Sequence, residues 1–217
     1  MIAETTVQDD NLAYAENPFD RCGTAALSDL QSQVWRELYS RLEVSQADFL
    51  SKQHLFRSPG YKWPLDSLHW WSRVWEYPYV YLHLARWRRE YAGHNLPKVA
   101  DIGSGVTFFP FSVARLGFAV VCSDPDPVCS RDLNRARETI EQSPGNVEFR
   151  LIGGSSLPLG IPNATLYIVL ASWSTSKGSA TRFVKWPAFS KTTASSISRS
   201  ILTCKAIPQL GWIVTIL

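Results

Sequence analysis

Between Lys98 and Leu151 short apolar runs alternate with helical stretches, and this alternation constrains the fold more than any other feature of the chain. Lys98-Val99-Ala100-Asp101-Ile102 is a strand-length run ending beside an acid, and Gly103-Ser104-Gly105 turns the chain into a helix from about Phe109 to Leu116, stopped by Gly117. Ala119-Val120-Val121-Cys122 reads as a second strand, closed by Ser123-Asp124; Pro125 and Pro127 introduce a helix from Val128 to about Gln142, and Val147–Leu151 is a third strand. Strands separated by helices of this length predict a parallel α/β sheet.

With 45% hydrophobic and 19% charged residues over 217 positions, the chain can bury a real core as one domain, or one domain with an N-terminal extension. Wholesale disorder, a fibrous repeat and a disulfide-stapled scaffold are excluded. Cys22, Cys122, Cys129 and Cys204 form no Cys-x-x-Cys pair, so neither a disulfide framework nor a structural zinc site is expected, and the cytoplasm is the expected compartment. No apolar run reaches the ~18 residues that span a bilayer, and Met1-Ile2-Ala3-Glu4 does not open a secretory signal. Asn163-Ala164-Thr165 is then an accidental sequon.

Residues 1–27 read as an acidic, poorly ordered lead-in. Ser28 with Gln31 forms a capping box for a helix carrying Leu30, Val34, Leu38 and Leu42, and Ser45 with Asp48 starts a second, short helix from Gln46 to about His54. Tyr61–Tyr91 holds ten aromatic residues; Pro64 and Pro78 are expected to break it, leaving a helix over Val80–Tyr91. The rings are expected to pack against the main domain, ahead of a ring-lined lid or a base-stacking platform using Arg73, Arg86, Arg88 and Arg89.

Gly103 and Gly105 sit where backbone must pass close to a ligand, and the helix that follows offers free N–H groups. Asp101 lies at the end of the first strand and Asp124 at the end of the second, where a carboxylate can accept both hydroxyls of a ribose. The dinucleotide fingerprint needs glycine at position 108, and Phe108 stands there, which makes an NAD(P)-linked oxidoreductase the lesser reading.

Val99-Ala100-Asp101-Ile102-Gly103-Ser104-Gly105 resembles the first motif of class I S-adenosylmethionine-dependent methyltransferases. The resemblance runs on through Val121–Pro127 and Val147–Leu151 to Ser155–Leu159, covering about residues 97–165, with Trp75-Glu76-Tyr77-Pro78 as an extension. It implies S-adenosyl-L-methionine as cofactor and an incomplete methyltransferase core, a Rossmann-like parallel sheet, behind an α-helical, aromatic-rich extension. It assigns Gly103, Ser104 and Gly105 to the loop around the cofactor's amino-acid end, Asp124 to the ribose diol with Pro125 beside it, and Asp101 to the cofactor ammonium, directly or through water. The sequence departs from the family at Thr107, where a third glycine is usual, at Ile152-Gly153-Gly154, where an acid is usual, and at Leu166-Tyr167, where Phe-Asp is usual.

Methyl transfer asks the protein to align acceptor and sulfonium and to exclude water. No catalytic residue is readable: His54, His69, His83 and His94 are taken as packing or surface residues, and no metal spacing exists. The acceptor is open, with a small molecule favoured, no membrane partner and no clear nucleic-acid site. A non-catalytic nucleoside- or partner-binding module is the alternative from another functional class.

All 19 acids lie in the first 148 residues, whereas residues 149–217 carry seven Lys and Arg, no acid and 18 Ser and Thr. With AGT and AGC as the serine codons, Ser172-Trp173-Ser174-Thr175 read two nucleotides further on gives Leu-Glu-His, a tripeptide the resembled family often carries after its fourth strand. The segment from about residue 165 is therefore expected to be out of the ancestral frame, leaving the sheet without its last strands and the chain inactive. A divergent basic tail is the alternative. The resulting division is a helical extension over 1–95, a cofactor-binding core over 96–170 and an atypical segment over 171–217.

Overall fold

A computed structural model describes residues 17–20, 25–70, 72–90 and 96–151, and in backbone alone the strands 166–170, 202–207 and 211–216. In chain order the regular elements are helices α1 (Gln33–Phe56) and α2 (Arg73–Glu90), strand β1 (Lys98–Ile102), helix α3 (Phe109–Arg115), β2 (Ala119–Asp124), α4 (Pro127–Thr139), β3 (Asn146–Leu151), β4 (Leu166–Leu170), β5 (Leu202–Ile207) and β6 (Gly211–Ile216).

The strands form one sheet in the order β3-β2-β1-β4-β6-β5, confirming the α/β class and the three strands expected from the alternation. All neighbours run parallel except β5, which pairs antiparallel with β6 at the edge. From β1 the chain moves to β2 and β3 on one side and then crosses to β4 on the other. The carboxyl end of β1 is therefore a topological switch point, where open α/β sheets leave a crevice for ligands. β5 and β6 carry the sheet beyond β4 with strand-forming Ile, Val and Thr, giving six strands among the described residues. Residues 171–201, with Ser172-Trp173-Ser174-Thr175, lie outside the described residues, as do Ile152-Gly153-Gly154, Ser155–Leu159 and Asn163-Ala164-Thr165.

The two expected N-terminal helices are one. Leu27–Gln31 is a 3-10 turn in which Ala26 N donates to Asp29 Oδ2, and the helix is capped one turn later, where Ser32 Oγ accepts from Trp35 N at 3.1 Å. No Gly or Pro stands between Leu42 and Gln46, so nothing ends the helix at Ser45. Gln46 is buried inside α1, its Oε1 accepting from Leu68 N at 3.0 Å and its Nε2 donating to Asp66 Oδ1 at 2.6 Å.

Pro78 lies inside α2 instead of breaking it. A proline there cannot donate to the carbonyl four residues back. That carbonyl, Val74 O, accepts from Trp35 Nε1 at 2.7 Å, so α1 supplies the hydrogen bond that α2 lacks.

The lead-in is also partly corrected: Asn17, Pro18 and Phe19 are buried, and the Phe19 ring meets Trp75 and Tyr79 edge-on, with centroids 5.5 and 5.9 Å apart. Asp20 pairs with Arg86. Residues 1–16 and 21–24 lie outside the described residues.

Aromatic packing is what joins the helices to the sheet. Tyr77 of α2 stacks on Phe109 of α3 with centroids 4.3 Å apart and planes at 9°, Phe49 of α1 reaches Phe111 of α3 at 5.8 Å, and Trp87 reaches Phe118 at 5.8 Å. These rings and Val99, Val120, Cys122, Leu133 and Val147 form one continuous core. The packing reading of the aromatic stretch therefore holds for its buried members, while Trp63 and Trp70 are exposed. Among the described residues no helix is long and apolar enough to cross a membrane.

Candidate functional site

The parallel register places Ile102 beside Ser123, so β1 and β2 end together and the Gly103–Gly105 loop folds over the tip of β2. Ser123 O accepts from Gly103 N at 2.7 Å and Ser104 N at 3.2 Å, and Ser123 Oγ donates to Asp101 O at 3.2 Å. Gly105 N donates to Asp124 Oδ2 at 3.1 Å, and Val106 N to Tyr61 Oη at 3.1 Å. Four successive amides are thus engaged within the fold. A polar strand end, a carboxylate and a phenol hold the loop's own amides, so the free N–H groups expected of the following helix are not supplied by the turn itself.

Gly103 and Gly105 have φ of 72° and 56°, the left-handed region that side chains other than glycine avoid. A Cβ on Gly105 would stand 3.3 Å from Tyr61 Oη, whereas one on Gly103 would meet nothing within 4 Å. Thr107, in place of the usual third glycine, is accommodated with Oγ1 donating to Ser104 O at 3.4 Å.

The two acids converge at this loop. Asp101 is 4% exposed, and burial pushes its carboxyl up to about 7, with Arg73 opposing the rise and Asp124 adding to it. Asp124 is buried as well; its Oδ1 accepts from Asp126 N at 2.9 Å, and burial raises its pKa against those backbone hydrogen bonds. Asp124 therefore caps the glycine loop and the turn into α4, whose own N-cap is Asp126 Oδ1 accepting from Val128 N at 2.8 Å. Pro125 is exposed on the lip between them. Ser104 Oγ is buried with no hydrogen-bond partner.

Two residues that sequence reasoning missed complete the site, Arg57 and Tyr61, on either side of the Ser58-Pro59-Gly60 turn after α1. Tyr61 Oη accepts the Val106 amide, and burial pushes its phenol up to about 12. The Arg57 guanidinium lies 4.5 Å over the Tyr61 ring and donates from Nη2 to Val106 O at 3.0 Å. Arg57 Nε and Nη1 are buried without partners. No spacing rule links Arg57 to a glycine loop so far along the chain, so only the fold reveals them.

Phe108 is 1% exposed and packs edge-on against Tyr77 and Phe109 at the start of α3. A ring therefore stands where the dinucleotide fingerprint has its third glycine, for close packing of helix on strand, and the described residues depart from that fingerprint. They do fit an amino-acid nucleoside: side-chain-free backbone at the loop, buried carboxylates for an ammonium and a ribose, and the buried unpartnered Ser104 hydroxyl.

The histidines stand apart from this cluster in their contacts. His69 Nδ1 meets Asp66 Oδ2 at 2.7 Å on the surface, His83 Nε2 meets Phe19 O at 3.2 Å, and His54 Nδ1 meets Ser51 O at 3.1 Å; His94 lies outside the described residues. Among the described residues no group of His, Cys, Asp and Glu could hold a metal. Two surface depressions, on the outer faces of α1 (Arg36, Arg41) and α4 (Asn134, Arg137), contain no residue of the glycine loop.

No protein-family model and no curated protein matches the chain. Solved structures do. It is similar to a human methyltransferase 10 domain containing protein at 14% identity over 64% of this chain and 63% of that one, with a TM-score of 0.37. It is similar to a protein-L-isoaspartate O-methyltransferase at 16% identity over 62% and 47%, TM-score 0.35. It is similar to the magnesium protoporphyrin IX methyltransferase of Synechocystis PCC 6803 with bound SAH at 18% identity over 56% and 57%, TM-score 0.33. The chain thus spans less than two thirds of the length of each of these, and at such scores the likeness does not bear on activity.

Proposed function

We propose that the chain binds S-adenosyl-L-methionine at the glycine loop and transfers its methyl group to an acceptor. The observation that carries this reading is the loop's position: Gly103 and Gly105, both left-handed, lie at the switch point of the sheet with the carboxylates of Asp101 and Asp124 beside them. The cofactor brings an activated methyl on a sulfonium. The chain's share is placement. Gly103, Ser104 and Gly105 would leave room for the amino-acid end, Asp101 would face its ammonium, and Asp124, with lone pairs left beyond its two amide partners, would accept the ribose hydroxyls beside Pro125. The acceptor is proposed to be a small molecule, held in a cytoplasmic protein.

A second reading, a nucleoside-binding module without catalysis, rests on the atypical segment from about residue 165. We keep the out-of-frame origin of that segment as part of this second reading; the coding DNA tests it, and a shifted frame that encodes no acids and no amphipathic helix would sink it. Calorimetry of the full chain with S-adenosylhomocysteine, S-adenosylmethionine and NAD tests the nucleoside site. Binding of the first two without NAD supports both readings, and methyl transfer in an acceptor screen then separates them. NAD binding, or no nucleoside binding, overturns the proposal.

A further inference from the structure

We infer that Arg57 is the anion-docking residue of the site, receiving the α-carboxylate at the amino-acid end of the cofactor; this rests on the cofactor reading above. A negatively charged group laid over the Gly103–Val106 loop would ordinarily be held by the loop's own amides. Here those amides are taken: two by Ser123 O, one by Asp124 Oδ2 and one by Tyr61 Oη. The two acids at the loop repel a carboxylate. A ligand whose amino-acid end is zwitterionic therefore needs a cation beside the loop.

Arg57 meets that need in geometry and in unfilled capacity. Its Nη2 is fixed on Val106 O at 3.0 Å and its plane rests on the Tyr61 ring, so the guanidinium is held against the loop instead of being free to swing. Its Nε and Nη1 are buried and have no acceptor, an arrangement that costs free energy unless an acceptor arrives. No ion pair reaches it among the described residues. Asp132, the buried acid near it, is occupied by Ser58 N and Ser58 Oγ, each at 2.9 Å. Tyr61 in turn reaches both sides, accepting the Val106 amide while standing 3.3 Å from where a Gly105 Cβ would be, so the phenol and the guanidinium form one wall of the loop.

Calorimetry on the full chain tests this with two ligand pairs and two variants. The unaltered protein is expected to bind S-adenosylmethionine roughly 10- to 100-fold more tightly than its decarboxylated analogue, which lacks only the carboxylate. R57Q is expected to lose a similar factor for S-adenosylhomocysteine and none for 5′-methylthioadenosine, which has no amino-acid end, and R57K is expected to recover part of the loss. Equal affinity of the unaltered protein for the carboxylated and decarboxylated ligands overturns the inference whether or not R57Q folds. So does loss of both nucleosides by a folded R57Q, which would mark Arg57 as a support for Val106 alone. If the unaltered protein binds methylthioadenosine but does not favour the amino-acid ligands, the nucleoside site stands and the Arg57 role falls; if it binds no nucleoside, both fall.

Discussion

Asp124 Oδ2 accepts the amide of Gly105 at 3.1 Å, so the residue expected to hold a ribose is also the residue that fixes the loop beneath it. Replacing Asp124 with alanine removes an acceptor for two backbone amides, Gly105 and Asp126, and any ribose contact. The expected result is a lower melting temperature together with roughly 1–3 kcal/mol weaker binding of S-adenosylhomocysteine by calorimetry. Unchanged affinity in the folded variant would remove Asp124 from the site.

Gly103, Gly105 and Gly145 should not tolerate alanine equally. At Gly145 a Cβ would stand 2.2 Å from both Ala114 O and Phe118 O, backbone atoms that cannot move aside cheaply, and G145A should cost about 4 kcal/mol or more in chemical denaturation. G105A combines left-handed backbone with the Tyr61 contact and should cost about 1–3 kcal/mol. G103A meets no neighbour and should cost only the backbone strain, about 1–2 kcal/mol. G105V should in addition abolish nucleoside binding. A different order would show that the loop is shaped otherwise.

Asp101 makes stability depend on pH in an identifiable direction. Its folded-state pKa is raised from 3.8 to about 7, so between those values the folded chain holds a proton that the unfolded chain has released. Stability should therefore fall as pH rises from about 4 to about 7, by up to a few kcal/mol, and level off above. D101N should flatten that part of the profile. Binding of a ligand ammonium favours the ionised carboxylate, so nucleoside affinity should rise across the same interval with proton release, visible as a dependence of binding heat on buffer ionisation enthalpy. An identical pH profile in D101N would refute the assignment.

The bond from Trp35 Nε1 to Val74 O predicts a coupling between Trp35 and Pro78. W35F alone should destabilise by about 1–3 kcal/mol, partly through the unpaired carbonyl. With Pro78 changed to alanine a main-chain donor returns, so W35F should cost less in the P78A background, and a double-mutant cycle in urea measures the difference. Additivity would show that the indole and the proline act independently.

The strands β1, β2 and β3, Gly103 and Gly105, and the acids at 101 and 124 were readable because each follows from local pattern: a short apolar run, a turn residue, a strand-end carboxylate. The joined α1 was not, since Ser45 has the composition of a cap and only the burial of Gln46 against Leu68 shows that the helix continues. Pro78 misled for a similar reason: the donor that makes it tolerable sits on another helix. Arg57 and Tyr61 were invisible because their contacts with Val106 reach across 49 and 45 residues of sequence, and β5 with β6 because an acid-free, Ser/Thr-rich composition hides a strand pair whose evidence is the register itself.

Ser123 O, at the tip of β2, accepts the amides of both Gly103 and Ser104. The loop is thereby moulded from a neighbouring strand, and its shape is settled when β1 and β2 pair. A ligand arriving there meets a finished socket and has little conformational entropy to remove from it. Association should then approach the rate set by encounter alone, with affinity among related ligands decided by how slowly each one leaves.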